Sequence, residues 1–147
     1  MAERIAIAGD GQMAIVLAAS AVESGHSVRL WCPLAGAAAP LAASRRSPRL
    51  PEVELPTAVE ITEDAASAFA GATLMLSAIP AQFAGETWRR VAPVAPRGVG
   101  IATVTKGVEV GSMHRPTQVL RAATGDGRSP RSAARRSRTS SRAGCPR

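Results

Sequence analysis

The chain has 147 residues, a length that suggests one domain at most. Seven of its 18 Lys and Arg residues lie in residues 125–147 beside a single Asp, so this segment carries six of the seven net positive charges. Two cysteines cannot build a disulfide framework, and we expect both as reduced thiols of a cytoplasmic protein. The chain enters a predicted strand at once, which argues against a signal peptide, and no apolar run reaches the roughly 18–20 residues of a membrane span.

A glycine turn between a strand and a helix opens the chain. The short apolar run Ile5–Ala8 is typical of a buried parallel strand. The next six residues, 9–14, fit the pattern G-x-G-x-x-G/A. In this pattern Gly9 permits the turn, Gly11 lets the backbone approach a pyrophosphate, and the small Ala14 lets the helix pack on the strand.

The helix that follows the turn is predicted to end at Gly25. At its start, the N–H groups of Gln12, Met13 and Ala14 would point toward phosphate groups, because a helix N-terminus attracts anions. The pattern therefore predicts dinucleotide binding. The alternative is a glycine-rich turn in an unrelated α/β protein.

The rest of the chain alternates between strands and helices. We predict strands at 26–32, 59–62, 73–79 and 99–104, an extended loop at 50–56, and helices at 34–46 (interrupted by Pro40), 65–69, 80–91 and 115–123. This alternation predicts an α/β fold with a parallel, doubly wound sheet of the Rossmann type. Right-handed crossovers would bring loops 9–14, 80–83 and 105–107 to one crevice at the carboxyl edge of the sheet.

Lys106 is the single Lys of a chain that uses Arg 17 times, and it follows the last predicted strand. A compact ammonium at this edge would hydrogen-bond a substrate carbonyl and stabilise charge during hydride transfer. An ordinary solvated lysine is the alternative interpretation.

Five segments match one enzyme family: the turn at residues 9–11 and residues 24–31, 50–56, 79–83 and 102–109. Over roughly residues 3–124 the chain resembles the N-terminal half of bacterial NAD(P)-dependent glycerol-3-phosphate dehydrogenase. The resemblance implies a dinucleotide-binding domain at residues 1–124, NAD or NADP as cofactor, and reduction of dihydroxyacetone phosphate to sn-glycerol 3-phosphate for glycerophospholipid synthesis.

The resemblance also implies roles for individual residues. Lys106 would be the catalytic residue, in contact with both substrate and cofactor, and no metal ion is expected. Pro80 and Phe83 match a loop that touches the nicotinamide end. The implied cofactor-binding residues are Gly9, Gly11, Gln12, Met13, Ala14, Pro80, Phe83 and Lys106.

The sequence departs from the family pattern next to the expected cofactor. Met13 and Ala14 replace the usual aromatic–Gly pair, and Cys32 begins a stretch where the family often has Arg or His followed by Asp. No carboxylate is placed for the ribose 2′-hydroxyl, so the choice between NAD and NADP stays open. Arg45 or Arg46 is a candidate for a 2′-phosphate, with a solvated helix end as the alternative.

Residues 125–147 are predicted to be a disordered basic tail, because no Val, Leu, Ile or Phe occurs after Leu120. A shifted reading frame, a plain disordered tail and an RNA-binding arm each explain the composition. The tail lacks aromatic side chains for base stacking, which argues against nucleic acid as a partner.

The family's helical substrate domain, with a second lysine and phosphate-binding groups, has no counterpart in these residues. We therefore expect the dinucleotide-binding domain to be incomplete, with little turnover from this chain alone. A dinucleotide-binding module without catalysis is the alternative, and the oligomeric state stays open.

Overall fold

The structure is a computed structural model that describes residues 1–125 and the backbone of residues 130–132. Strands and helices alternate along most of the chain. In order, they are β1 (Arg4–Ala8), α1 (Gln12–Glu23), β2 (Ser27–Trp31), α2 (Ala38–Ser44), β3 (Arg46–Ser47), β4 (Leu50–Glu54), β5 (Val59–Thr62), α3 (Ala65–Phe69), β6 (Leu74–Ser77), α4 (Ala81–Val91), β7 (Ile101–Thr103), α5 (Pro116–Thr124) and β8 (Pro130–Ser132).

The main sheet is parallel throughout, with the strand order β5-β2-β1-β6-β7-β8. The chain winds outward from β1 in one direction through β2 and β5, then returns to the other side of β1 with β6. The order therefore reverses between β1 and β6, and a crevice opens there beyond the carboxyl ends of the two strands. This architecture confirms the predicted Rossmann-type α/β fold.

Helices cover both faces of the sheet, so the core has two parts. On β1, Ile5 and Ile7 face α1 and α2, while Ala6 and Ala8 face α3, α4 and α5. The alternation follows from the two-residue period of a strand, and burial on both faces explains why all four residues are apolar.

Three aromatic rings pack in series on the α3–α4 face. Phe69 makes edge contacts with Trp31 on one side and Trp88 on the other, with ring centroids 5.9 and 5.7 Å apart. Both indoles are nearly fully buried, and both N–H groups find acceptors: Trp31 donates to the Glu63 carbonyl and Trp88 to Ser77 Oγ. These bonds offset the cost of burying the indole N–H groups. The three rings are therefore packing residues of the core.

Two elements differ from the sequence-based prediction. Helix α2 is shorter than 34–46 and is not interrupted by Pro40, because that residue is its third helical position. There the missing N–H has no intrahelical partner to lose. The segment predicted as an extended loop instead forms β4, which pairs antiparallel with β3 in a small separate sheet.

The basic tail also differs in part from its prediction. The structure adds the short strand β8 within it, parallel to the outer edge of β7, although the sequence predicts that the sheet stops at the fifth strand. Backbone pairing of this kind needs no apolar side chain, so composition gives no signal for it. Residues 126–129 and 133–147 lie outside the described residues. For these residues the expectation of disorder stays a prediction.

Across the described part of the chain, no helix has the length and apolar character required to cross a bilayer.

The two phenylalanines provide a matched test of the aromatic core, because Phe69 is fully buried and Phe83 is 61% exposed. We expect Phe69→Ala to lower the free energy of unfolding by about 3–5 kcal/mol through loss of both ring contacts and the cavity left behind. We expect Phe83→Ala to change it by less than about 0.5 kcal/mol. Urea unfolding followed by circular dichroism measures both values, and similar losses in the two variants would contradict this account of the core.

Candidate functional site

A cavity of about 450 Å³, the central cavity, lies at the point where the strand order reverses. Its walls are formed by the turn after β1, the segment after β6, helix α4 and two further segments. The lining residues are Gly9, Asp10, Gly11, Pro33, Leu34, Arg49, Ala78, Ile79, Pro80, Phe83, Glu86, Thr87 and Arg90. Four of the predicted cofactor residues are among them: Gly9, Gly11, Pro80 and Phe83.

At Gly9 the turn after β1 approaches the backbone after β6 closely. Its φ of +119° lies in a region that side chains rarely adopt, and a Cβ built on it would lie 2.9 Å from the Ala78 carbonyl oxygen. Its own N–H donates to the Trp31 carbonyl oxygen at 2.9 Å, at the end of β2. Gly9 therefore allows the ends of β1, β2 and β6 to approach one another closely.

The N-terminus of α1 opens toward this cavity and carries no side-chain cap. The N-cap residue is Gly11, and a Cβ on it would meet no atom within 4 Å. The first intrahelical bond is donated by the Ile15 N–H to the Gly11 carbonyl. The N–H groups before Ile15 have no intrahelical acceptor, so the partial positive charge of the helix end is available to an anion.

The three predicted cofactor residues in the first turn of α1 have different environments. Ala14 is fully buried in the core cluster that α1 forms with the sheet. Met13 is 49% exposed. The Gln12 side-chain amide donates to the Arg49 carbonyl, which joins α1 to the loop between β3 and β4.

Lys106 lies on the loop after β7 but is not among the residues that line the central cavity. Its side chain is exposed, and it makes no hydrogen bond or ion pair with any residue that the structure describes. The neighbouring Thr105 hydroxyl donates to the Ile79 carbonyl at 2.6 Å, and Ile79 is a cavity residue. The third predicted loop is thus attached to the cavity wall, while the ammonium group itself stays free in solvent.

Gln82 has a role that the sequence did not reveal. Its amide N–H donates to the Val108 carbonyl at 3.2 Å, and its amide oxygen accepts from the Val110 N–H at 2.9 Å. One side chain therefore fixes the segment after Lys106 to the first turn of α4. Gln82 belongs to the family motif at residues 79–83, and its amide could have indicated this role because an amide can donate and accept hydrogen bonds at once.

A second space of about 600 Å³, the hairpin cavity, lies between α2 and the β3–β4 hairpin and shares Asp10, Leu34 and Arg49 with the central cavity. Arg46 also lines it, but its guanidinium pairs with Glu54.

The other candidate for a 2′-phosphate, Arg45, uses its guanidinium to bond the carbonyl oxygens of Pro56 and Val59. It lines neither cavity. The cation that both cavities share is Arg49, which the sequence pattern did not single out.

Two ionisable groups beside the site have shifted pKa values. Burial, followed by the nearby carboxylates of Asp10 and Glu63, raises the pKa of the Cys32 thiol to about 12. Hydrogen bonds from the backbone N–H groups of Ala38 and Gly36 lower the pKa of the Glu63 carboxyl. The buried thiol is therefore protonated at neutral pH and is a poor nucleophile.

Comparison with known proteins adds to this geometry. The model of the family described as NAD-dependent glycerol-3-phosphate dehydrogenase N-terminus matches residues 4–131. The chain belongs to this family. A glycerol-3-phosphate dehydrogenase (NAD(P)+) of Stenotrophomonas maltophilia is 36% identical over 126 residues, which cover 85% of this chain and 37% of that protein. The corresponding enzyme 2 of Mycobacterium tuberculosis is 33% identical and covers 85% and 38%.

The glycerol-3-phosphate dehydrogenase family is also supported by a solved structure. The crystal structure of the enzyme from Coxiella burnetii superimposes with a TM-score of 0.72 at 26% identity, over 84% of this chain and 38% of that one. The chain therefore spans a little over a third of the length of the relatives that it matches.

The residues at the central cavity and at the N-terminus of α1 fit a dinucleotide cofactor. An uncapped helix end faces the space, and the one glycine at its N-cap leaves room for close approach of a ligand. When bound, the nicotinamide of such a cofactor supplies or accepts a hydride.

The two glycines of the turn provide a test of the local backbone. We expect Gly9→Ala to lower the free energy of unfolding by about 1–3 kcal/mol, because of its positive φ and its contact with the Ala78 carbonyl. Gly11→Ala, with a φ of −76° and open space around it, should change the value by less than about 1 kcal/mol. Chemical denaturation measures both variants, and equal losses at the two positions would show that the turn does not depend on Gly9.

The raised pKa of Cys32 predicts a loss of stability at alkaline pH. An unfolded thiol ionises near its ordinary pKa of 9.0, whereas the native thiol stays protonated up to about 12. The unfolded state therefore releases its proton first, and the free energy of unfolding falls by up to about 1.4 kcal/mol per pH unit within this window.

Urea unfolding at about pH 8 and about pH 10.5 measures this loss in a Cys145→Ser background. The chain has no Tyr and one Lys, so few other groups titrate in the window. Cys32→Ala should show a smaller decrease between the two pH values than the Cys145→Ser parent. Equal decreases would mean that the Cys32 thiol is not shifted on folding.

Proposed function

We propose that this chain is the dinucleotide-binding part of an NAD(P)H-dependent dehydrogenase that interconverts dihydroxyacetone phosphate and sn-glycerol 3-phosphate. The observation that carries the proposal is the central cavity, in which an uncapped helix N-terminus and the Gly9–Gly11 turn face the point where the strand order reverses. Backbone N–H groups at such a helix end are suited to a pyrophosphate. The names of the relatives supply the substrate class.

The apolar part of the cavity supports the placement of a nicotinamide ring. Phe83 and Pro80 lie at the start of α4 and line the central cavity. Phe83 is 61% exposed, whereas Phe69, the other phenylalanine of the chain, is fully buried. An aromatic face exposed at the edge of a cavity provides a contact surface for a planar ring. We assign Pro80 and Phe83 to the nicotinamide end, and the N–H groups of Gln12, Met13 and Ala14 to the phosphate groups.

Lys106 is the residue to which we assign the substrate carbonyl. Its free ammonium lies on a loop attached to the cavity wall through the Thr105–Ile79 and Gln82–Val108 hydrogen bonds. In the direction of reduction, the ketone carbon receives a hydride and its oxygen receives a proton. A positive charge held beside this oxygen stabilises the negative charge that develops on it.

We expect the chain alone to bind the dinucleotide with little turnover, because the remaining length of the relatives has no counterpart in the 147 residues. We also propose that the protein is cytoplasmic, since its two cysteines provide no disulfide framework.

A chimaera tests the catalytic assignment, with residues 4–131 of this chain replacing the matched region of the Stenotrophomonas relative. We expect the chimaera to oxidise NADH or NADPH in the presence of dihydroxyacetone phosphate. Lys106→Met should lower kcat by roughly 100-fold or more, since the charge acts on the transition state, and should raise the Kd for the dinucleotide by a smaller factor. Initial rates and fluorescence titration measure the two quantities.

The Arg97→Met variant serves as a control, because it removes an exposed positive charge before β7, away from both cavities. Dinucleotide binding without turnover in a folded chimaera would favour the non-catalytic binding module. A folded chimaera that binds neither NADH nor NADPH would refute the proposed function.

A further inference from the structure

Like Arg90, which lines the central cavity alone, Arg49 has a guanidinium that no described residue engages. Within residues 1–125 no carboxylate or carbonyl group pairs with it, whereas Arg29, Arg45 and Arg46 all donate to such groups. Its side chain is exposed, and it lines both the central and the hairpin cavity. A cation in this environment is available to a ligand that enters either space.

The backbone of Arg49 is held in place from two sides. Its carbonyl oxygen accepts a hydrogen bond from the Gln12 side chain, which stands at the first residue of α1. Its N–H donates to Ser47 Oγ at 3.3 Å. These contacts fix the backbone of the residue next to the uncapped helix end, so the cost of ordering it when an anion binds falls on the side chain alone.

The wall that separates the two cavities also carries a negative charge, which a cation there would offset. Asp10 is half-buried between the two glycines of the turn and lines both cavities. Its carboxylate would repel an anion bound at the helix end. Glu86 and Arg90 also line the central cavity, and Arg46 lines the hairpin cavity but is paired with Glu54. Arg49 is placed to offset the charge of Asp10 on both sides of the wall.

We propose that Arg49 binds a phosphate group of the dinucleotide, together with the backbone N–H groups of α1. The inference rests on the function proposed above. A guanidinium presents a planar set of N–H donors that matches a phosphate through two parallel hydrogen bonds. The dinucleotide offers this chemistry in two places: the pyrophosphate of NADH and NADPH, and the 2′-phosphate of NADPH alone.

Titration of the purified chain with NADH and with NADPH, followed by the fluorescence of the reduced nicotinamide, tests the proposal. We expect Arg49→Gln to raise the Kd of at least one dinucleotide by roughly 10-fold or more, as for loss of a charge-assisted hydrogen bond. Arg49→Lys, which keeps the charge but not the planar donors, should lie between wild type and Arg49→Gln. A loss shared by both dinucleotides identifies the pyrophosphate, and a loss confined to NADPH identifies the 2′-phosphate.

Arg97→Gln is the matched control, because it removes the same charge from an exposed position that lines neither cavity. Its Kd values should stay within about twofold of wild type, and the circular dichroism spectra of the Arg49 variants should match that of the wild type. If Arg49→Gln binds both dinucleotides as wild type does, the role of Arg49 is refuted while the proposed function stands. If the wild-type chain binds neither dinucleotide, both are refuted.

Discussion

The close approach of the Gly9 backbone to the Ala78 carbonyl is the constraint on which the site depends. A side chain at residue 9 would lie 2.9 Å from that oxygen and would also have to adopt a φ of +119°. Without this contact the turn after β1 and the segment after β6 would separate, and the helix end would no longer face the cavity. The strand order of the parallel sheet creates the crevice. The absence of a Cβ at Gly9 then allows the turn after β1 to approach the segment after β6 closely.

Hydrogen bonds from side chains then connect the other loops to this point. Gln12 joins α1 to the carbonyl of Arg49, Thr105 joins the loop after β7 to Ile79, and Gln82 holds the segment beyond Lys106 with a donor and an acceptor. The bonds of Gln12 and Gln82 are exposed, where water competes for polar groups, whereas the Thr105–Ile79 bond is partly buried. These bonds hold the loops in place. The side chains of Lys106 and Arg49 form no ion pair with a described residue, so both remain available to a ligand.

The sequence predicted the parts of the fold that depend on local pattern. Apolar runs and glycine positions were sufficient for β1, α1 and the positions of the central strands along the chain, because buried parallel strands are continuously apolar. The hairpin of β3 and β4 and the edge strand β8 were missed, since β3 and β8 are short segments without a continuous apolar run and are held by backbone pairing. The loop motifs indicated where Lys106 lies, but a one-dimensional pattern does not report that its ammonium points into solvent. Arg49 was missed for the same reason, because it is near α1 in space and 37 residues from Gln12 in sequence.

The aromatic series beneath the cavity links the stability of the domain to the geometry of the site. Trp31 ends β2, and its carbonyl oxygen accepts the N–H of Gly9. Trp88 donates to Ser77, the last residue of β6, and Phe69 packs between the two indoles. The strand ends that flank the cavity are thus anchored by one buried cluster. Because packed cores resist small displacements, the cluster limits how far those strand ends can move relative to each other. A dinucleotide would then meet a turn that is already formed, and the ordering cost of binding would fall mainly on the exposed side chains.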